Sequence, residues 1–95
     1  MRIGFSPKAE RDLEEIGDYI ARDNPARAIT FLDELRASCL EIAARPGSYP
    51  VRPELGEGIR RAVYGRYLIF YSAGVGALRI ERILHGARNL ERVSR

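Results

Sequence analysis

The chain has 95 residues, 45% apolar and 31% charged, with a net charge of +3, so it is expected to be one domain (residues 1–95) of ordinary globular composition. Its longest uncharged run, Tyr67 to Leu78, falls well short of the roughly 20 residues that cross a bilayer, and no apolar leader opens the sequence. The single cysteine, Cys39, excludes an internal disulfide, which points to a reducing, cytoplasmic setting.

Residues Met1–Phe5 are short and apolar enough for a first strand. "SPKAE" then marks a helix start, with Ser6 as cap and Pro7 in the first helical position, where its missing N–H is not needed. Ala9, Leu13, Ile16 and Ile20 recur at helical spacing on one face. Glu10, Asp12, Glu14, Glu15 and Asp18 are expected to make the other face acidic and solvated. "RDNPARA" ends this helix and opens a second, with Asn24 as cap and Pro25 as first residue. Its apolar stripe runs through Ala28, Phe31, Leu32, Leu35, Cys39, Ile42 and Ala43 until Pro46-Gly47 stops it. The short connection makes the helices antiparallel neighbours.

After a proline- and glycine-rich loop, 46–58, the periodicity becomes strand-like over Ile59–Tyr64, Tyr67–Ser72 and Leu78–Leu84. Gly65-Arg66 suits a type II′ hairpin turn. That turn pairs Tyr64 with Tyr67, Ala62 with Ile69 and Arg60 with Tyr71 on one face. It pairs Val63 with Leu68, Arg61 with Phe70 and Ile59 with Ser72 on the other. "SAGVGA" is a looser second turn. The expected fold class is α+β, in the order β-α-α-β-β-β: an N-terminal strand, an αα-hairpin and a three-stranded antiparallel meander, with the hairpin on one face of the sheet. Both sheet faces carry apolar residues, so the face away from the helices must be covered by a partner or by the chain itself. The last strand is expected at or near an exposed edge, where Arg79 and Arg82 would blunt aggregation or pair with an added acidic strand.

Charge is divided unevenly. Residues 1–50 hold seven cations and nine anions, whereas residues 51–95 hold nine cations and four anions, so the C-terminal half is a basic surface suited to an anionic partner. Fifteen of the sixteen cations are arginine and only Lys8 is lysine, so no chemistry needing a lysine cluster can operate. His85, the sole histidine, is the natural acid–base candidate. It has no sequence-adjacent nucleophile and reads more simply as a strand end. Arg60, Arg61, Arg82 and Arg88 could hold phosphate or carboxylate groups, but a permanently protonated arginine stabilises charge and cannot act as a base. The strand tyrosines and Cys39 read as core or half-core residues. One histidine and one distant cysteine make no metal site, and no glycine-rich phosphate loop or other cofactor motif is present.

These segments together resemble a family. "SPKAERDLEEIGDYIARDNPARAITFLDELRASCLEI" is similar to the helical hairpin of ParE-type toxins at Ala9, Asp12, Leu13, Ile16, Tyr19, Ile20, Pro25, Ala28 and Phe31. "GIRRAVYGRYLIFY" resembles that family's central hairpin, and "RIERILHGARNL" its closing strand with the HGAR signature. The resemblance, to the RelE/ParE superfamily, implies the toxin of a type II toxin–antitoxin operon. A cognate antitoxin would mask it with an extended, often acidic segment laid on the sheet and helical hairpin, and would carry the contact with DNA. The ParE-like branch binds DNA gyrase and blocks replication without a catalytic site. The RelE-like branch cleaves mRNA on the ribosome with lysines and arginines on the sheet. Leu68, after Tyr67, stands where that branch has arginine, which favours the gyrase reading. His85 and Arg88 are the catalytic pair in the alternative, endoribonuclease reading. A non-toxic remnant that only binds antitoxin is a third. HGARN carries Asn89 where an acidic residue is usual. The residues expected to meet antitoxin or target are Arg60, Arg61, Leu68, Phe70, Arg79, Arg82 and Arg88.

Overall fold

The structure, a computed structural model, describes residues 2–87. Strand β1 (Arg2–Phe5) leads into helix α1 (Pro7–Ala21) and helix α2 (Pro25–Ala44), followed by β2 (Arg60–Tyr64), β3 (Tyr67–Gly74) and β4 (Ala77–His85). Two single-turn 3-10 helices, Pro46–Ser48 and Pro53–Leu55, occupy the loop between α2 and β2.

Both helix starts form as the sequence dictates. Ser6 Oγ accepts the Ala9 N–H at 3.0 Å and Asn24 Oδ1 accepts the Arg27 N–H at 3.0 Å, each with proline next in the chain. Each cap satisfies a first-turn donor that the helix itself leaves without an acceptor. Gly17 lets the helices approach, since a Cβ there would stand 3.0 Å from Leu32 Cδ1.

The hairpin register is the expected one, from Arg60 opposite Tyr71 to Tyr64 opposite Tyr67, although Ile59 lies just outside the ladder. At the turn Gly65 has φ +58° and Arg66 is not at positive φ, which fits type II′ and excludes type I′. The second turn is tighter than its sequence suggests: β3 runs to Gly74 and β4 starts at Ala77, leaving Val75-Gly76 between them.

The sheet order is β1-β4-β3-β2, and β1 pairs parallel with β4 from Arg2 opposite Ala77 to Phe5 opposite Ile80. The last strand, expected at or near an edge, is thus one strand in from it, with β1 outside. The physical reason is edge protection. The meander alone would leave the nine-residue β4 open, whereas docking the four-residue β1 beside Ala77–Ile80 covers its first half and leaves the remainder to α1.

One apolar core fills the space between the helices and the sheet. Leu13, Ile16, Leu35, Cys39 and Ile42 meet Ala62, Ile69, Tyr71, Leu78, Ile80 and Ile83 there. Phe31 and Leu32 are only partly buried against it. At roughly 25 cal/mol for each Å² of apolar surface removed from water, these side chains supply most of the folding drive. The Tyr71 hydroxyl donates to the Pro46 carbonyl, and Tyr49 meets the Tyr71 ring edge-on, so the loop after α2 is held against the end of the core. Among the described residues no helix is long and apolar enough to cross a membrane.

Candidate functional site

Beyond Phe5 the β1 edge ends, and α1 takes over beside the remaining length of β4. Ser6 donates its hydroxyl to the Glu81 carbonyl at 2.7 Å. Nearly two turns on, Asp12 Oδ2 accepts the Ile83 backbone N–H at 2.9 Å, as a neighbouring strand would. The same carboxylate takes the Arg82 guanidinium through Nε at 2.9 Å and Nη2 at 3.0 Å. Asp12 is 6% exposed, so the expectation that it joins the solvated acidic face is corrected. Its bond to Asp12 raises the Arg82 pKa above its ordinary value and keeps the guanidinium charged. The Arg82 fork, expected to meet a partner, is thus engaged inside the chain. Asp12 was missed although a signal existed: it lies three residues after Ala9 and four before Ile16, squarely on the apolar stripe.

A register shift at Phe70/Tyr71 sets Arg82 opposite Phe70 and Ile80 opposite Tyr71, so Glu81 is an extra residue on β4. The Ser72 hydroxyl donates to Glu81 Oε2 at 2.9 Å. Arg79 Nη1 stands 3.8 Å from Glu81 Oε1, with over half of the arginine side chain exposed.

His85 lies on the helix side of the sheet, opposite Tyr67, whose ring it meets edge-on at 5.4 Å. Its Nδ1 accepts the Ala87 N–H at 3.2 Å, which commits that lone pair to a local turn. It lines an open groove of about 570 Å³ together with Tyr19, Ile20, Phe31, Arg66 and Tyr67. Tyr19 and Arg66 were not anticipated here; they line the same groove as His85 because the end of α1 and the β2–β3 turn lie at the same end of the fold.

The opposite face of the sheet carries Val63, Leu68, Phe70 and Leu84, with Arg61 opposite Phe70 and Arg79 opposite Ser72. Phe70 and Leu84 are 2% and 3% exposed, closed off by the chain itself. The question of what covers this face therefore has a partial answer in self-coverage. Leu68 remains half-buried and Val63 is exposed. Arg61 holds a buried Nε with no hydrogen-bond partner among the described residues. Arg60 faces the other way, donating through Nη1 to the Tyr49 carbonyl. The structure thus gathers Arg61, Leu68, Phe70 and Arg79 on one face. It separates them from His85, Arg60 and the Arg82 fork. Arg88, with Asn89 and Arg92, lies outside the described residues.

A second carboxylate cluster joins α2 to β2. Glu34 accepts from Arg27 Nη1 at 2.6 Å and from the Tyr64 hydroxyl at 2.6 Å. Arg27, then Tyr64, hold its carboxyl down at about 2, from a usual 4.5. A depressed folded-state pKa stabilises the fold above the unfolded value and ceases to do so as the pH falls through the folded one. The melting temperature of Glu34→Gln is therefore expected below that of the wild type at pH 7, with the gap closing as the pH falls from about 4.5 to about 2. Thermal unfolding at stepped pH measures it, and a gap that persists unchanged at the acid end counts against the pairing.

Cys39 is 1% exposed, and burial pushes its thiol up to about 11, as befits a small apolar core residue. Among the described residues no group of three His, Cys, Asp or Glu could hold a metal.

A family model described as the ParE toxin of the type II toxin–antitoxin system parDE matches residues 3–90. The chain is 34% identical over 86 residues to Toxin ParE1 of Caulobacter vibrioides, covering 90% of this chain and 88% of that protein. The fold is also that of a solved chain from the chromosomal ParDE system of P. aeruginosa, with a TM-score of 0.73 at 19% identity, over 90% of this chain and 95% of that one. The matched span contains both helices, the Asp12–Arg82 clamp and all of the sheet but Arg2, and the chain therefore belongs to the ParE toxin family of type II toxin–antitoxin systems.

Proposed function

We propose that the chain halts growth by binding DNA gyrase and blocking replication, and that a cognate antitoxin neutralises it by direct contact in the cytoplasm. The observation that carries this reading is the composition of the sheet face turned away from the helices. An apolar centre at exposed Val63 and half-buried Leu68 is flanked by the cations Arg61 and Arg79. An apolar centre with a charged rim is the anatomy of a protein-binding surface. Leu68 contributes contact area where a nuclease would want positive charge for a developing phosphorane. An extended acidic antitoxin segment would suit the same face, and its carboxylates or carbonyls would give the buried Arg61 Nε an acceptor. Contact with DNA would come through the antitoxin. The reading is one of binding, with no catalytic step and no cofactor.

The experiment is a supercoiling assay with purified gyrase and excess toxin, with and without antitoxin. Loss of supercoiling and accumulation of cleaved DNA, both reversed by antitoxin, are expected. Unimpaired supercoiling at a large molar excess would sink the reading.

One observation favours the endoribonuclease alternative. His85, Arg66, Tyr67 and Tyr19 line one open groove of about 570 Å³. In it an imidazole could serve as acid or base, a guanidinium could stabilise charge and aromatic rings could stack on bases. That reading requires mRNA cleavage in a translating extract that His85→Ala abolishes. The gyrase reading requires His85→Ala to leave gyrase poisoning intact.

A further inference from the structure

Helix α2 is amphipathic in an unusual way. Its buried residues, Ala28, Leu35, Cys39 and Ile42, face the core, but a second stripe faces outward. Ile29 is 66% exposed and Leu40 is 65% exposed, two of the largest apolar side chains left open on the molecule. Asp33 and Arg36, also exposed, lie between them. The spacing Ile29, Asp33, Arg36, Leu40 is four, three, four, which keeps all four on one narrow face over about three helical turns. Exposed Ala37 flanks the centre of that face, small enough for another backbone to come close.

The order of this stripe is self-complementary. The midpoint of Ile29 and Leu40 falls between Glu34 and Leu35, and so does the midpoint of Asp33 and Arg36. A two-fold axis through that point, perpendicular to the helix, lays α2 antiparallel on a second α2. Ile29 then meets Leu40 of the other copy at both ends. Asp33 meets Arg36 of the other copy twice in the middle. A two-fold interface demands this reciprocity of every contact. Neither charge is committed elsewhere: among the described residues the ion pairs are Arg27–Glu34, Arg79–Glu81 and Arg82–Asp12. Arg36 does border a groove with Glu10 and Glu14 of α1, without pairing with either. A parallel or shifted arrangement loses the match, setting like charge beside like or charge against an apolar side chain.

We infer that the exposed face of α2 is a self-association surface, through which two copies of this chain pair as an antiparallel helix couple centred between Glu34 and Leu35. The occupant is a second copy, on the grounds of charge complementarity and matched apolar ends. The surface is independent of the sheet face assigned above to antitoxin and target. One helix face is small beside the roughly 1,200–2,000 Å² of a standard interface, so the pairing is weak, with a dissociation constant on the order of 10 µM.

Light scattering on the purified full chain, followed up to about 100 µM, tests this directly at a concentration well above the expected dissociation constant. A rise from monomer to dimer mass is expected. Asp33→Arg alone places four cations at the centre, and Arg36→Asp alone four anions. Each is expected to weaken association at least ~30-fold by like-charge repulsion. The double variant, Asp33→Arg with Arg36→Asp, restores opposite charges across the axis and is expected to recover the dimer. All four positions are exposed, so unchanged thermal unfolding serves as the folding control. A wild type that stays monomeric overturns the proposal. So does a dimer indifferent to the single swaps, or a double variant that remains as weak as the singles.

Discussion

Asp12→Ala is expected to lower the unfolding free energy by about 3 kcal/mol, the largest effect of any single polar substitution in this fold. Three hydrogen bonds converge on one carboxylate that is 6% exposed. Alanine leaves the Ile83 N–H without its acceptor, which alone costs about 1–3 kcal/mol for a buried donor. It also strips the Arg82 guanidinium, a third exposed, of its counter-charge. The surviving exposure lets water recover part of the second loss, which is why the figure stays below the upper range for a fully buried pair. For a domain of this size ~3 kcal/mol corresponds to roughly 15 °C in melting temperature. Asp12→Asn separates the contributions: its amide oxygen can still accept from Ile83 while the charge is gone, so it should fall between wild type and alanine. Thermal or denaturant unfolding of the three proteins gives the ranking. Asp12→Ala melting within a few degrees of wild type would show that the clamp is not a structural fastening.

That clamp also marks where the sequence stops being informative. The local parts of the fold are readable from neighbours in the chain. Ser6-Pro7 and Asn24-Pro25 each combine a cap with a pre-set φ, and Gly65 supplies the positive φ that fixes the hairpin register. The non-local parts are not readable in that way. Nothing in Arg2–Phe5 announces a parallel partner at Ala77–Ile80, because pairing at that separation is chosen by which edge remains open once the meander has formed. Asp12 lies between these cases. Its helical spacing places it on the buried face, but its chemistry argues for solvent, and only the open edge of β4 beyond Ile80 explains why burial wins.

The arginines repeat the lesson at the candidate site. Sequence groups Arg60, Arg61, Arg82 and Arg88 as possible holders of phosphate or carboxylate and adds Arg79 among the residues expected to meet a partner, although the hairpin register already sets Arg60 and Arg61 on opposite faces. Strand alternation sends Arg60 to the helix side, where it binds the Tyr49 carbonyl. Arg82, though opposite Phe70, spends its guanidinium on Asp12 of α1, a partner 70 residues away that no local signal names. Arg61 and Arg79 remain on the face that also carries Leu68 and Phe70, so the basic surface available to a partner is smaller and more apolar than the count of cations implies.

Arg61→Gln combined with Arg79→Glu is therefore expected to weaken the toxin–antitoxin complex about 100-fold. The loss should divide in a characteristic way. Arg79, largely exposed and 3.8 Å from Glu81, sits at the rim and acts mainly by steering, so its change should appear in the association rate. Arg61 presents a buried donor without an acceptor, so its change should appear chiefly as faster dissociation if the antitoxin supplies that acceptor. Raising salt to about 0.5 M, where screening acts within a few ångströms, should erase most of the Arg79 effect and little of the Arg61 effect. Arg60→Gln and Arg82→Gln provide the contrast. Both side chains are engaged within the chain, so their loss should lower thermal stability while leaving affinity for antitoxin close to wild type at temperatures where they are folded. Surface-bound antitoxin and stopped-flow mixing give both rate constants. An Arg61, Arg79 double variant that binds as tightly as wild type would move the antitoxin off this face of the sheet.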